Sequence, residues 1–237
     1  MIRQMLVEMI GAYIITFTIS FCRINNPDDY LSIGLTYFFV MASLTYTFKN
    51  VSGAHFNPVL TASLIFSRQA TFKKAALYII MQLLGSVLAA ATVFALYPQP
   101  ADVENFMYGL PTMRDNEKLI GSFLEFMAMF LLVYVYSSII CNVAAPKHIY
   151  GAAIACIYSA SLFTINSFSG GCINVVTLVG PAIFSNHYDD MGYYISAQFL
   201  GGVLAATIYG LFLNKGVSEV EDEDAEEESI VDKTKAI

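Results

Sequence analysis

Two short stretches of the chain repeat one another at a distance of 117 residues. SGAHFNPVLT, around Asn57, and SGGCINVVTL, around Asn174, align residue by residue. The same shift matches further landmarks: Glu8 with Glu125, Gly34 with Gly151, Ser52-Gly53 with Ser169-Gly170, and Gly85 with Gly202. Agreement at so many landmarks indicates an internal duplication, and a duplication constrains the architecture before any local feature does.

The composition places this duplicated chain in a membrane. Apolar residues account for 57% of its 237 residues, charged residues for 13%, and the mean hydropathy is +0.60. Nine acids lie between Glu219 and Asp232, whereas residues 1–217 carry ten acidic and ten basic groups. We therefore expect one membrane domain over 1–217 and an acidic, disordered cytoplasmic tail over 218–237, because a dense run of like charges repels itself. A binding peptide is the alternative for the tail.

Six segments are long and apolar enough to cross a hydrocarbon core of about 30 Å as helices. They cover about 5–22, 31–48, 73–97, 119–141, 149–167 and 191–213. Three fall in repeat one, about 1–100, and three in repeat two, about 119–215. Because three is odd, the second repeat must enter the membrane from the opposite face. The sequence thus predicts an all-α membrane protein built as an inverted repeat.

The basic residues predict how this protein is oriented. Seven of them are expected on the face that holds the termini: Arg3, Lys49, Arg68, Lys73, Lys74, Lys147 and Lys215. Arg23, Arg114 and Lys118 are expected on the other face. Since cytoplasmic loops carry the excess of lysine and arginine, both termini are expected in the cytoplasm. The sequence does not indicate which cellular membrane is involved.

A short apolar stretch follows each repeated motif. Pro58 to Ser67 and Val175 to Ser185 would each form a helix that covers only half of the hydrocarbon depth, at about 1.5 Å per residue. Asn57 and Asn174 occupy the N-cap positions of these half-helices. Irregular backbone at membrane depth is tolerated where it is buried in protein or lines a wet cavity, so the pair indicates a pore. Two helix N-termini meeting at the midplane would oppose a cation and admit a neutral solute.

On these residues the chain resembles the major intrinsic proteins, or aquaporins, whose hallmark is a pair of Asn-Pro-Ala boxes on half-helices. The resemblance covers residues 1 to about 215 and rests on the two motifs, on GPAIF after the second, and on four further residues: Glu8, Glu125, Gln82 and Gly85. It implies an aquaporin-like fold with six transmembrane helices and two re-entrant half-helices. It also implies a homotetramer in the lipid bilayer, with one pore in each subunit.

The resemblance further implies roles for single residues. Asn57 and Asn174 would donate hydrogen bonds to the solute at the midplane. Carbonyl groups would flank them as a ladder of acceptors, from Gly53, Ala54, His55, Gly170, Gly171 and Cys172. Glu8 and Glu125 would be buried supports of the two loops, since a carboxylate inside a membrane segment needs a partner. Snorkelling near a helix end is the alternative for Glu8.

The departures from the family pattern concern selectivity. The boxes read Asn-Pro-Val, with Pro58 and Val59, and Asn-Val-Val, with Val175 and Val176. Thr177 stands where nearly all members carry an arginine, so the four constriction positions become Tyr37, Leu162, Gly171 and Thr177. This filter has no positive charge at all, which leaves the ends of the half-helices as the barrier to ions.

These features favour a passive channel for water or small neutral solutes, among which ammonia, urea and hydrogen peroxide stay open. Leu178 replaces an aspartate typical of glycerol-conducting members, which argues against glycerol. The alternatives are a channel that leaks cations or protons and a structural membrane protein that conducts nothing. No nucleophile is paired with a base, and no cysteine or histidine spacing suits a metal, so we expect no enzyme, cofactor, metal or nucleic-acid partner.

Overall fold

The computed structural model describes residues 1–27, 29–97, 106–142, 145–146 and 148–212, and most of them are helical. They form eight α-helices: α1 (Ile2–Asn25), α2 (Tyr30–Ser52), α3 (Pro58–Ser63), α4 (Phe72–Leu96), α5 (Lys118–Tyr136), α6 (Tyr150–Ser169), α7 (Val176–Ser185) and α8 (Met191–Phe212). A 3-10 turn, Asp115–Glu117, precedes α5, and a π-helical turn, Ser137–Cys141, follows it.

Six of the helices are long and apolar enough to span a membrane, namely all but α3 and α7. With six crossings, α1 begins and α8 ends on the same face, which we call the proximal face; the distal face is the one at which α1 ends. The prediction of an all-α membrane protein with six spanning helices is confirmed. The predicted tail, 218–237, lies outside the described residues, and the domain limit at 217 stays a prediction.

The second spanning helix of each repeat ends in the same way. α2 and α6 both stop at a glycine in the left-handed conformation, Gly53 with φ 100° and Gly170 with φ 63°. The amide of Gly53 donates to the Lys49 carbonyl, and the amide of Gly170 donates to the Asn166 carbonyl. Glycine suits this position because it has no Cβ to clash. The caps turn the chain back into the membrane at equivalent points of the two repeats.

The first half-helix is shorter than the sequence suggested. The expected stretch reached Ser67, but α3 ends at Ser63 and turns follow. Beyond Ser63 the backbone changes to bonds three residues apart, such as Phe66 N–H to the Ser63 carbonyl, and Arg68 takes a positive φ of 61°. The apolar composition could not reveal this change, since it suits a tight turn as well as a helix.

Each repeat contains one closely packed helix pair, and a third helix from each repeat packs against its counterpart. α1 packs on α4 in the first repeat, α5 packs on α8 in the second, and α2 meets α6 between them. At Gly85 a Cβ would lie 2.3 Å from the Met9 carbonyl oxygen, and at Gly201 it would lie 2.2 Å from that of Phe126. Met9 and Phe126 are 117 residues apart, so the counterpart of Gly85 is Gly201. The sequence match of Gly85 with Gly202 was therefore wrong by one residue, because the second repeat is one residue shorter before α8.

The described part of the connection between the repeats folds over the distal face. The Arg114 amide donates to the Phe168 carbonyl, and the Met113 amide donates to Asp190 Oδ2 at 2.9 Å. Lys118 Nζ lies 2.9 Å from Asp190 Oδ1. These bonds tie the connection to the ends of α6 and α8, so that it forms one wall of a vestibule above the second re-entrant loop.

Candidate functional site

Asn57 sets the start of the first half-helix. It is the N-cap residue of α3, and its side-chain oxygen accepts from the amides of Val59 and Leu60 at 3.0 and 3.3 Å. Pro58 follows at the first helical position, where its missing N–H costs nothing. Asn57 is completely buried. Its amide nitrogen is thereby turned away from α3.

The second half-helix starts one residue later than expected. Val175 rather than Asn174 is the N-cap residue of α7, with helical angles of φ −59° and ψ −23°. Valine, unlike proline, carries an N–H and does not impose the start of the helix. Asn174 still accepts from the Val176 amide at 3.2 Å, so its side chain has a capping bond. The side-chain oxygens of the two asparagines thus have the same capping role, but only Asn57 occupies the N-cap position.

The two asparagine amides cross between the repeats. Asn57 Nδ2 donates to the Ile173 carbonyl at 3.1 Å, and Asn174 Nδ2 donates to the Phe56 carbonyl at 3.0 Å. Each amide therefore binds the residue just before the other asparagine. This reciprocal pair brings the N-terminal ends of α3 and α7 together, and their partial positive charges meet in the middle of the protein.

The first loop is held from behind by Glu8. This fully buried carboxylate accepts from the Ser52 hydroxyl at 2.5 Å and from the amides of His55 and Phe56 at 3.1 and 2.7 Å. Gln82 Nε2 adds a fourth hydrogen bond at 2.8 Å. All four groups are donors, which suits an acceptor-only carboxylate. The side chain does not snorkel.

Glu125 holds the second loop in the corresponding way. It accepts from the Ser169 hydroxyl at 2.7 Å, from the amides of Cys172 and Ile173 at 2.8 and 2.9 Å, and from Gln198 Nε2 at 2.9 Å. Phe56 and Ile173 have positive φ values of 47° and 54°. Such angles are costly for these side chains, and the hydrogen bonds to the carboxylates offset the cost. The loops consequently turn N–H groups to the carboxylates and carbonyl groups the other way.

The four predicted constriction residues come together in two contacting pairs. The Tyr37 hydroxyl lies 3.1 Å from Thr177 Oγ1, and Leu162 lies 3.1 Å from the point that a Cβ on Gly171 would occupy. Thr177 Oγ1 also donates to the Asn174 carbonyl at 2.9 Å. All four residues are buried. The threonine hydroxyl is therefore engaged by its own backbone and by Tyr37.

The remaining predicted residues lie beside these groups. The Gly53 carbonyl accepts from the Tyr136 hydroxyl at 2.7 Å, and the Cys172 carbonyl lies 3.4 Å from the Tyr37 hydroxyl. The His55 ring contacts Thr61 Oγ1 at 3.2 Å. Ala54, Val59, Val175 and Val176 are buried, and Gly170 lines the distal vestibule. Some of the carbonyls expected to form the ladder are thus already bound by protein hydroxyls.

Sequence reasoning missed Tyr158. Its hydroxyl accepts from Asn57 Nδ2 at 3.2 Å, and its ring stacks on Tyr37 with centroids 5.7 Å apart. It is completely buried, one helical turn before Leu162 on α6. That spacing, four residues from a predicted constriction position on the same helix face, is the signal that could have found it.

Sequence reasoning also missed Arg23. This residue lies near the end of α1, is 9% exposed, and donates from a terminal guanidinium nitrogen to the Gly171 carbonyl at 2.8 Å. The contact joins residues 148 positions apart. Gly171 is one of the four predicted constriction positions, so a cation does lie beside the predicted filter. The sequence placed Arg23 at the distal face but gave no sign that it turns inward.

Comparison with known proteins identifies the family of this chain. The family model for the major intrinsic proteins matches residues 1–209. The chain is 30% identical over 227 residues to aquaporin NIP3-1 of Arabidopsis thaliana, covering 90% of this chain and 70% of that protein. It is 28% identical over 210 residues to a glycerol uptake facilitator protein-like 6 of Lactiplantibacillus plantarum, covering 86% of this chain and 95% of that one.

Among solved structures, the aquaglyceroporin from Plasmodium falciparum superposes with a TM-score of 0.77 at 18% identity, covering 92% of this chain and 98% of that one. The inverted repeat and the family match define a multi-pass membrane channel for water or small solutes. The chain belongs to the major intrinsic protein family, whose members are channels and not enzymes.

Proposed function

We propose that the protein is a passive channel for water and small neutral solutes, with its path between Asn57 and Asn174 and a filter of Tyr37, Leu162 and Thr177 beside Gly171. The observation that carries the proposal is the reciprocal hydrogen bonding of the two asparagine amides across the repeats. It fixes the two amides and two helix N-termini at one point, where a neutral solute can take over an amide hydrogen bond and a cation is opposed.

The filter offers a passing solute few polar groups. Leu162 is apolar, and the hydroxyls of Tyr37 and Thr177 bond to each other and to loop carbonyls. A water molecule that enters must compete with these internal bonds, because a buried hydroxyl that loses its partner incurs a desolvation cost. We therefore expect water to move slowly relative to small, weakly hydrated solutes such as ammonia.

Tyr158 adds a second restriction at the midplane. Its hydroxyl occupies one N–H of Asn57, the donor expected to bind the solute. Permeation through this point needs the Tyr158 hydroxyl to exchange its bond with the solute. The resulting proposal is a channel whose asparagine donors are shared between the protein and its cargo.

The basic residues support the proposed orientation with both termini in the cytoplasm. Arg3, at the start of α1, and Lys73 and Lys74, at the start of α4, lie on the proximal face. Arg23 turns inward to the Gly171 carbonyl, so the distal face presents fewer free cations than its sequence suggests. A homotetramer with one pore per subunit is proposed from the family alone.

Stopped-flow light scattering of proteoliposomes tests the channel proposal. Vesicles with the purified protein are shocked with an impermeant osmolyte and then with gradients of urea, glycerol and ammonia, against empty vesicles. We expect faster volume change with a low activation energy for at least one of these permeants. Rates equal to those of empty vesicles for every permeant would favour a structural role for the protein.

Thr177→Arg tests the filter in the same vesicles. An arginine beside Tyr37 would narrow the opening and add donors, so the larger solutes should be excluded first. Asn116→Arg is the matched control, because Asn116 is exposed in the 3-10 turn before α5. If Thr177→Arg passes the same solutes at the same rates as the parent, the constriction lies elsewhere.

A further inference from the structure

The distal vestibule leads to a buried cation. Its cavity of about 580 Å³ lies between the end of α1, the described part of the connection between the repeats, and the end of α6. Arg23, Asn166 and Gly170 are among the residues that line it. Gly170 opens the second re-entrant loop, so the vestibule is the distal approach to the filter.

Arg23 carries a charge that the described residues leave without an anionic partner. The ion pairs among them join Arg114 to Glu117 and Lys118 to Asp115 and Asp190, and do not include Arg23. Its one hydrogen bond goes to the Gly171 carbonyl, and its Nε is buried with no partner in the described part of the chain. A guanidinium has five N–H donors, so a single carbonyl leaves most of them without a protein partner among the described residues.

Glu125 does not neutralise this charge by direct contact. It holds the same loop, but its four hydrogen bonds come from Ser169, Cys172, Ile173 and Gln198. A charge with little solvent exposure and no anionic partner among the described residues keeps a stronger field around it than a fully solvated one, because protein screens it less than water does.

We infer that Arg23 supplies the positive charge of the filter, from α1, in place of the arginine missing at Thr177. The inference rests on the proposed channel function. The charge is fixed to Gly171, a filter position in contact with Leu162, and Thr177 lies within the same cluster through Tyr37 and the Cys172 carbonyl. Arg23 therefore repels cations that reach the floor of the vestibule, and the channel excludes ions although the four filter residues are neutral.

Asn166 gives the floor of the vestibule a complementary group. Its side-chain oxygen is buried without a partner among the described residues and lies 3.3 Å from the point that a Cβ on Gly171 would occupy. An unused acceptor thus lies beside the same loop residue whose carbonyl binds Arg23. A small neutral solute with both donor and acceptor atoms suits this floor, whereas a cation gains from Asn166 and loses more to Arg23.

The test compares ion and water permeability in proteoliposomes of parent, Arg23→Gln and Arg23→Lys. Ion flux is read from decay of a potassium or proton gradient, and water flux from stopped-flow light scattering. We expect Arg23→Gln to raise the ratio of cation to water permeability roughly tenfold or more, which one charge at such short range can supply. Arg23→Lys should stay near the parent value, since it keeps the charge.

Arg114→Gln is the matched control. Arg114 lines the same vestibule, but its side chain is 58% exposed and pairs with Glu117, so solvent screens it. Its ratio should equal that of the parent. If Arg23→Gln does not purify as a monodisperse protein, Arg23→Met keeps the apolar stem and serves in its place.

Each outcome decides the inference. A cation leak in Arg23→Gln, with none in Arg23→Lys, supports the inference. An equal cation leak in both variants would mean that the geometry of arginine, and not its charge, excludes cations, and this would overturn the inference. An Arg23→Gln variant with normal water flux and no cation leak would overturn it as well. A parent that moves neither water nor solutes would instead refute the proposed function, which keeps the two failures distinct.

Discussion

Glu8 in the first repeat and Glu125 in the second accept hydrogen bonds from corresponding donors: a serine at the end of a spanning helix, two successive loop amides and a glutamine. The lengths of these bonds differ by 0.3 Å or less between the repeats. Around the asparagines the repeats differ. Tyr158 on α6 binds Asn57, whereas the equivalent position on α2 is Met41. The carboxylate contacts that hold the loops are shared, and the groups around the asparagines are not.

The cations and hydroxyls that reach the loops also differ. Arg23 of α1 binds the second loop, while Tyr136 of α5 binds the first through the Gly53 carbonyl. Each contact comes from the first helix of the other repeat, yet one brings a charge and the other a neutral hydroxyl. The asymmetry makes the two ends of the proposed path chemically distinct, with the positive charge on the distal side.

The largest effect should come from Glu8→Gln and Glu125→Gln. In each variant an amide NH2 replaces a carboxylate oxygen that accepts from a loop amide and a glutamine, so donors face donors. We expect a loss of about 3 kcal/mol or more in stability, equal in the two repeats. Thermal unfolding in detergent measures it.

Glu117→Gln serves as the control for this pair. Glu117 is at the surface, in an exposed ion pair with Arg114, so its substitution should cost less than about 1 kcal/mol. A large loss in one repeat with little in the other would show that the shared carboxylate contacts are not equally important to both loops.

The second largest loss of stability is expected at the two glycines where α4 packs on α1 and α8 packs on α5. Gly85→Ala and Gly201→Ala would each place a Cβ within 2.3 Å of a backbone carbonyl oxygen, which cannot move like a side chain. We expect both variants to lose about 1 to 3 kcal/mol or more in thermal stability. Gly192→Ala is the control, since a Cβ there meets nothing within 4 Å. Tolerance of Gly201→Ala alone would contradict the one-residue correction of the repeat alignment.

A smaller effect, on water permeability, is expected from the tyrosine that binds Asn57 but not Asn174. Tyr158→Phe keeps the ring and removes the hydroxyl that occupies Asn57, so water permeability per channel should rise about fivefold, the equivalent of one hydrogen bond of about 1 kcal/mol. Stopped-flow light scattering measures the change. Tyr134→Phe, at a partly exposed position of α5, should leave the rate as it is. An unchanged rate in Tyr158→Phe would mean that this hydroxyl does not limit permeation.

The two loops and the carboxylates that hold them were predictable from the sequence because both repeats contain them. The offset of 117 identified Glu8 with Glu125 and both loops, and hydropathy found the six spans. Tyr158 and Arg23 have no counterpart in the other repeat, where Met41 and Ile140 stand, so the duplication gave no signal for them. Their roles depend on where a long side chain turns between helices, which periodicity does not specify.

The smallest effect concerns a serine and a glycine that exchange places between the repeats. Ser86 of α4 contacts Gly180 of α7, whereas Gly202 of α8 contacts Ser63 of α3. Ser86 Oγ donates to the Val176 carbonyl and accepts from the Gly180 amide at 2.9 Å, so it links two helices. Ser63 Oγ donates to the Val59 carbonyl at 2.7 Å, within its own helix.

Ser86→Ala should therefore cost about 1 kcal/mol, because it removes two bonds between α4 and α7, and Ser63→Ala only a few tenths, since a hydroxyl bond to the preceding turn adds little to a helix. Thermal unfolding of the two variants, measured side by side, orders them. Equal losses of stability would indicate that each serine acts mainly by filling space against its glycine. The exchange between the repeats would then conserve volume, and the two half-helices would be held in the same way.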